Sequence, residues 1–189
     1  MSLQLSEIFH HQHELAKKYN PLEVKLGFYA PERLPMPINT YMAQDRLRMF
    51  YAYICEEVAE VALAETPGDF AEELSDVLHF VAEFCLICGL PPESIEKLYL
   101  ARSQLDMFDT DPNAPSLGEF QLLMGKAMNQ LKYKRWKLSP RDTNLVKFYD
   151  AVMLAVVELL NYIKFNGLDP HTIYMSKHKK NEDRIATGY

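Results

Sequence analysis

Residues 56–90, EEVAEVALAETPGDFAEELSDVLHFVAEFCLICGL, hold two runs of helical periodicity separated by the breaker TPGD. Before the break, Val58 and Val61 continue a stripe begun by Leu47, Phe50 and Ile54, which predicts one helix over residues 41–65. After it, residues 69–88 become apolar nearly all round beyond Asp76. That is the pattern of the most buried element, and Gly89 stands where a left-handed C-cap belongs. The same stretch places six glutamates and two aspartates between residues 56 and 76. So much negative charge beside a core must be either solvated or neutralised.

Outward from this pair, Leu5, Ile8, Phe9, Gln12 and Leu15 mark one face of a first helix expected to end near Asn20-Pro21. FYAPERLPMPIN, with three prolines in twelve residues, reads as an ordered loop. PPESIEKLYLARSQ predicts another helix, and the Asp- and Pro-rich DMFDTDPNAPS a loop. Helices follow over residues 117–137 and 143–165, and the C-terminal segment is expected to begin as a short helix and finish extended. No segment alternates with period two, so the class is all-α, a helical bundle in one domain over residues 1–189. An internal repeat is suggested by two copies of an Asp-led apolar helix followed by Gly-Leu-x-Pro-x-x-Ile, from Asp76 and from Asp150. The spacing from Asp to Gly differs between the copies, so the second helix should be about a turn longer.

A net charge of −6 argues against a general nucleic-acid or anionic-membrane surface. The N-terminus has no basic segment leading into an apolar one, and no apolar run approaches the roughly 20 residues that span a bilayer. A cytoplasmic protein is expected. The three cysteines, Cys55, Cys85 and Cys88, agree with a reducing compartment. Cys85-x-x-Cys88 lies inside an apolar helix with no strand before it, so these read as buried thiols and not as a redox pair.

On a helix, residues three apart share a face with Cβ atoms about 5–6 Å apart, so Glu57 and Glu60 point one way and Glu73 and Asp76 another. If the TPGD break folds the helices antiparallel, the two pairs converge. Four converging carboxylates repel one another and resist desolvation unless a cation sits among them. All-oxygen donors select a hard ion, Mg²⁺ with Mn²⁺ as substitute, over zinc. The bland alternative is a solvated acidic helix face. His10, His11 and His13 lack zinc-ligand spacing and read as solvated or capping. Lys132, Lys134, Arg135 and Lys137 could approach phosphates or simply end a helix, with Trp136 a packing anchor.

The pattern Glu57-x-x-Glu60 followed by Glu73-x-x-Asp76 resembles the metal site of the all-α nucleoside triphosphate pyrophosphatases, the superfamily of the MazG proteins and dimeric dUTPases. The series Tyr174, Lys177, Asn181, Arg184, Gly188 and Tyr189 resembles the tail by which dimeric dUTPases and related phage dCTPases hold a triphosphate. DVLHF after the last acidic residue, and Gln12 with Leu15, look like the same family. The resemblance covers both ends of the chain. Where the family tail has Asn after its Lys and Gln after its Arg, this chain has His178 and Ile185. In the second repeat, Asp150 matches Asp76 but Lys147 replaces Glu73, so one metal site is expected.

The resemblance implies a Mg²⁺-dependent deoxynucleoside triphosphate pyrophosphatase that cleaves between the α- and β-phosphates, and a homodimer. Glu57, Glu60, Glu73 and Asp76 would hold the metal, with Glu57 as the base for the attacking water. Lys177, Asn181, Arg184 and Tyr189 would bind phosphate or sugar. Gln12 would read the base, and because an amide can flip, it would separate dUTP from dCTP weakly. dUTP is the favoured substrate. dCTP or a purine such as dGTP is the alternative within the same chemistry, and a non-catalytic helical interaction protein the alternative outside it.

Overall fold

The computed structural model describes residues 3–105, 114–134 and 142–187. These form seven helices and, among the described residues, no strand: α1 (Leu5–Lys25), α2 (Tyr41–Leu63), α3 (Pro67–Cys88), α4 (Pro92–Leu105), α5 (Leu117–Gln130), α6 (Leu145–Phe165) and α7 (Pro170–Thr187). The all-α expectation is met. Two hairpins carry most of the packing, α2 on α3 and α5 on α6, and α3 also touches α1, α6 and α7. As its composition predicts, α3 is the most buried helix, with twelve buried residues against nine in α6.

The helix starts are specified locally. Thr40, Thr66, Ser116 and Asn144 each accept a backbone N–H in the first turn of α2, α3, α5 and α6, and Pro67 opens α3 where its missing N–H costs nothing. Gly89 closes α3 at φ 73°, and a Cβ there would lie 2.9 Å from Pro35 Cβ, so both the backbone and the available space require glycine. The proline-rich loop is ordered as expected. Met36 N–H donates to the Ile87 carbonyl at 2.9 Å, which lays the loop across the end of α3.

Several boundaries differ from the sequence reading. The first helix runs through Pro21 to Lys25, because Glu23 is tied to the buried Arg46 at 3.0 and 3.2 Å and holds the turn beyond the proline. α5 ends at Gln130, well before residue 137. The next residues leave the helix because Gln44 and Thr143 accept the N–H groups of Tyr133 and Lys132. The C-terminal segment does not become extended but stays helical to Thr187. Lys18 pairs with Glu182 at 2.5 Å, and Lys177 and Lys180 pair with Glu72, so tertiary ion pairs hold it.

The repeat is visible in the C-caps. Leu90 donates to Cys85 O and Leu168 to Ile163 O, each after a glycine at positive φ and before a proline that opens the next helix. The second helix is not a turn longer, however: α3 has 22 residues and α6 has 21. Asp76 lies nine residues into α3 and Asp150 five into α6, so the two aspartates are not equivalent in the two hairpins. Cys85 and Cys88 are buried free thiols, and burial pushes the Cys88 thiol up to about 12. Among the described residues, no single helix is long and apolar enough to cross a membrane.

Candidate functional site

The α2–α3 hairpin brings the acidic pairs together. One oxygen from each of Glu57, Glu60 and Glu73 lies within 4.8 Å of the others, the one group of metal-ligating side chains of this kind among the described residues. Glu57 and Glu73 are half-buried and Glu60 is exposed. Burial first, then the charges of Asp76, Glu60 and Glu73, push the Glu57 carboxyl up to about 7. Burial and the charges of Asp76 and Glu60 raise Glu73 as well. The fourth carboxylate, Asp76, adjoins this trio but is turned onto Lys177, whose Nζ donates to Oδ2 at 2.5 Å. Burial raises the Asp76 carboxyl, and the hydrogen bond from Lys177 offsets only part of that.

Lys177 comes from α7 and has a side chain 9% exposed, with a second bond to Glu72 Oε1 at 3.1 Å. Burial alone would lower its pKa, but Asp76 and Glu72 outweigh it and hold the ammonium charged. Asn181 and Arg184 follow one and two turns later on the same helix.

Beside the trio lies a cavity of about 330 Å³ lined by Gln12, Glu57, Asp76, Lys177, Asn181 and Arg184, with Phe50, Tyr53 and Phe80 as an aromatic wall. The residues singled out in α1, α2, α3 and α7 therefore meet in one place. Glu60 and Glu73 adjoin it through Glu57. Tyr189 and Gly188, like Arg135, Trp136 and Lys137, lie outside the described residues. Lys132 sits over the Tyr133 ring and Lys134 bonds Asn129, and neither lines this cavity. His178 is buried against the rings of His11 and Tyr174, a packing position.

Gln12 corrects one expectation. It is buried, its Nε2 donates to Glu83 Oε2 at 3.0 Å, and its Oε1 accepts from Tyr174 Oη at 3.0 Å. A flip would set the carbonyl against a carboxylate, so the orientation of the amide is fixed. One N–H and one lone pair remain for a ligand.

Four residues of the site escape the sequence reading of the acidic pairs. Glu72 takes Lys177 on one oxygen and Lys180 on the other, which pulls its carboxyl down to about 2. Glu83, an acid in the middle of an apolar run, is buried against Gln12 and Arg46; its isolation there was the available signal. Arg46 joins it to Glu23. His79 is buried and stacks on Tyr174 with centroids 4.0 Å apart and planes 13° apart. Its Nδ1 faces the Ser75 carbonyl at 2.8 Å, so the proton sits there and Nε2 is left as an acceptor. Burial drives the His79 pKa down to about 3, and Nε2 has no partner among the described residues. His79 lines the cavity.

No family model matches the chain. No solved structure matches it either. A curated relative, the dynein heavy chain-like protein 1 of Plasmodium falciparum (isolate 3D7), is 25% identical over 158 residues, which cover 78% of this chain and 3% of that protein. The chain thus spans a small fraction of that relative, and the similarity is too low and too partial to carry a family or an activity to it. The functional reading rests on the site.

Proposed function

We propose that this protein is a Mg²⁺-dependent deoxynucleoside triphosphate pyrophosphatase, with dUTP favoured, releasing the nucleoside monophosphate and pyrophosphate. One observation carries the reading. Three carboxylates with room for a common ion open, through Glu57, onto a cavity that also holds Lys177, Asn181, Arg184 and an aromatic wall. The donor set fits a hard divalent cation, being all oxygen and mutually repulsive without one. Bound there, Mg²⁺ would neutralise phosphate charge and acidify a coordinated water.

The chain's own residues supply the rest. Glu57 belongs to the acidic trio and also lines the cavity, which supports it as the base that takes the proton of the attacking water. The water oxygen bonds to the α-phosphorus while the bond from that phosphorus to the bridging oxygen breaks, and the electron pair leaves with pyrophosphate. Lys177 and Arg184 balance charge on the phosphates, and Asn181 adds a hydrogen bond. Phe50, Tyr53 and Phe80 offer a face for the base. The fixed Gln12 amide, with one donor and one acceptor free, suits the O4 and N3–H edge of uracil without a flip. The homodimer belongs to the same proposal. Leu22, Val24, Leu26 and Phe28, exposed at and beyond the end of α1, offer apolar surface for a second subunit, which light scattering would detect as a doubled mass.

Product analysis across the four canonical deoxynucleotides and dUTP, with Mg²⁺, tests the reading. dUTP should give dUMP and pyrophosphate with kcat/KM at least about tenfold above dATP and dGTP, with dCTP the nearest competitor. A purine preference would move the base assignment. Release of diphosphate and orthophosphate, or no turnover of any nucleotide, would overturn the proposal.

A further inference from the structure

The Lys177–Asp76 pair poses a problem that the metal reading does not itself solve. Asp76 has one oxygen 2.5 Å from an ammonium whose side chain is 9% exposed, so a divalent ion arriving on that carboxylate would meet a like charge within a few ångströms. Water gives little screening at that burial. Glu72 stands one helical turn before Asp76 on α3, 3.1 Å from the same ammonium. Its other oxygen holds Lys180 at 2.6 Å, so Glu72 is fully engaged by lysines and does not belong to the carboxylate trio. Lys177 also lines the cavity, where His79 presents its buried, unpartnered acceptor.

We infer that Lys177 is an internal cation that occupies the Asp76 position of the metal site until a divalent ion displaces it, and that Glu72 is the positioning residue that retains it afterwards. This rests on the metal-site reading above. Before displacement, Lys177 offsets part of the repulsion among the carboxylates. After it, Glu72 keeps the ammonium at the edge of the cavity, where the charge of an incoming phosphate can recruit it. Lysine and metal then compete for Asp76, and the apparent metal affinity is lowered by the fraction of molecules in which the lysine is in place.

Mn²⁺ binding to the full chain without nucleotide, followed by electron paramagnetic resonance of the free ion, tests this apart from turnover. Lys177→Met, close in volume, should bind Mn²⁺ about tenfold tighter than wild type if the lysine occupies Asp76 in about nine molecules of ten. Lys177→Arg keeps the charge and should show no such gain. Lys180→Met removes the same charge from Glu72 without touching Asp76 and should change affinity less than about twofold. Glu72→Gln should weaken binding by leaving Lys177 wholly on Asp76, and this effect should shrink in the Lys177→Met background. Equal gains from Lys177→Met and Lys180→Met would reduce the effect to general electrostatics, and an unchanged or weaker affinity in Lys177→Met would overturn the exchange outright. A wild-type chain that binds no Mn²⁺ would overturn the metal reading and the exchange with it.

Discussion

The α2–α3 and α5–α6 hairpins are built alike but furnished differently. Each opens its second helix with a side-chain cap and ends it on a glycine at positive φ followed by a proline-led helix, and each buries a continuous apolar seam. The first gathers Glu57, Glu60 and Glu73, with Asp76 adjoining, in the half nearer its turn. In the second, Lys147 and Asp150 point to solvent and Glu158 accepts a backbone N–H from Ser116 at 2.8 Å. A hairpin of this design therefore packs without converging carboxylates. Burial and mutual repulsion raise the pKa values of Glu57, Glu73 and Asp76, so the cluster costs the first hairpin stability that the second does not lose. Such a cost is expected where the residues serve chemistry.

The sharpest way to break this contrast is to neutralise one acid in each hairpin. Asp76→Asn should lower turnover about a thousandfold, about 4 kcal/mol of transition-state stabilisation, with helical circular dichroism retained. Asp150→Asn should leave turnover unchanged and alter stability by less than about 0.5 kcal/mol. Near wild-type activity in the first variant would remove the site. The shared architecture is tested next. Leu78→Ala in α3 and Leu160→Ala in α6 empty comparable core positions, and each should cost about 3 kcal/mol in urea unfolding. A loss confined to one would mean the hairpins are not equivalent in packing.

Arg184 is exposed on α7 and lines the cavity beside the first hairpin, where its charge acts on Asp76. Arg184→Gln should lower kcat/KM for the triphosphate about tenfold, about 1.4 kcal/mol, while leaving the unfolding midpoint in place. A single substitution tests this better than removal of residues 177–189. Lys177 and His178 are buried, so truncation there would strip the hairpin of a packed helix.

The smallest effect is a pH dependence without metal. Folding raises the Glu57 pKa from its usual 4.5 to about 7, so the folded state binds the extra proton, and its stability falls as pH rises through that interval. His79 acts oppositely. Its pKa is lowered to about 3, so stability rises with pH from there and levels off above about 6.5, as the unfolded histidine loses its proton. The two trends are separated by comparing variants in EDTA: from pH 6.5 to 8, wild type should lose stability relative to Glu57→Gln. Parallel curves would show that Glu57 is not strained.

Much of this was legible in the sequence, and for identifiable reasons. Helix positions follow local rules, so the TPGD break, the glycine at position 89 and the apolar surround after Asp76 placed α3 to within two residues. The i, i+3 acids could be paired because helix geometry alone sets which face they share. Where the reading failed, tertiary contacts decided. Glu23 reaching Arg46 carries α1 past Pro21, and Lys180 reaching Glu72 keeps the C-terminal segment helical, and neither partner is near in sequence. The same holds inside the site. Nothing local says that Asp76 faces a lysine 101 residues away, or that Gln12 is locked between Glu83 and Tyr174.

Thermal unfolding at pH 8 with and without Mg²⁺, on wild type and Asp76→Asn, tests most directly whether the acids of the first hairpin are a metal site. At about a hundred times the dissociation constant, an ion bound only to the folded state adds about 2.7 kcal/mol, which for a chain of this length raises the midpoint by roughly 5–10 °C. The account predicts that rise in wild type and its near absence in Asp76→Asn. An unchanged midpoint in wild type, or an equal rise in both proteins, would contradict it.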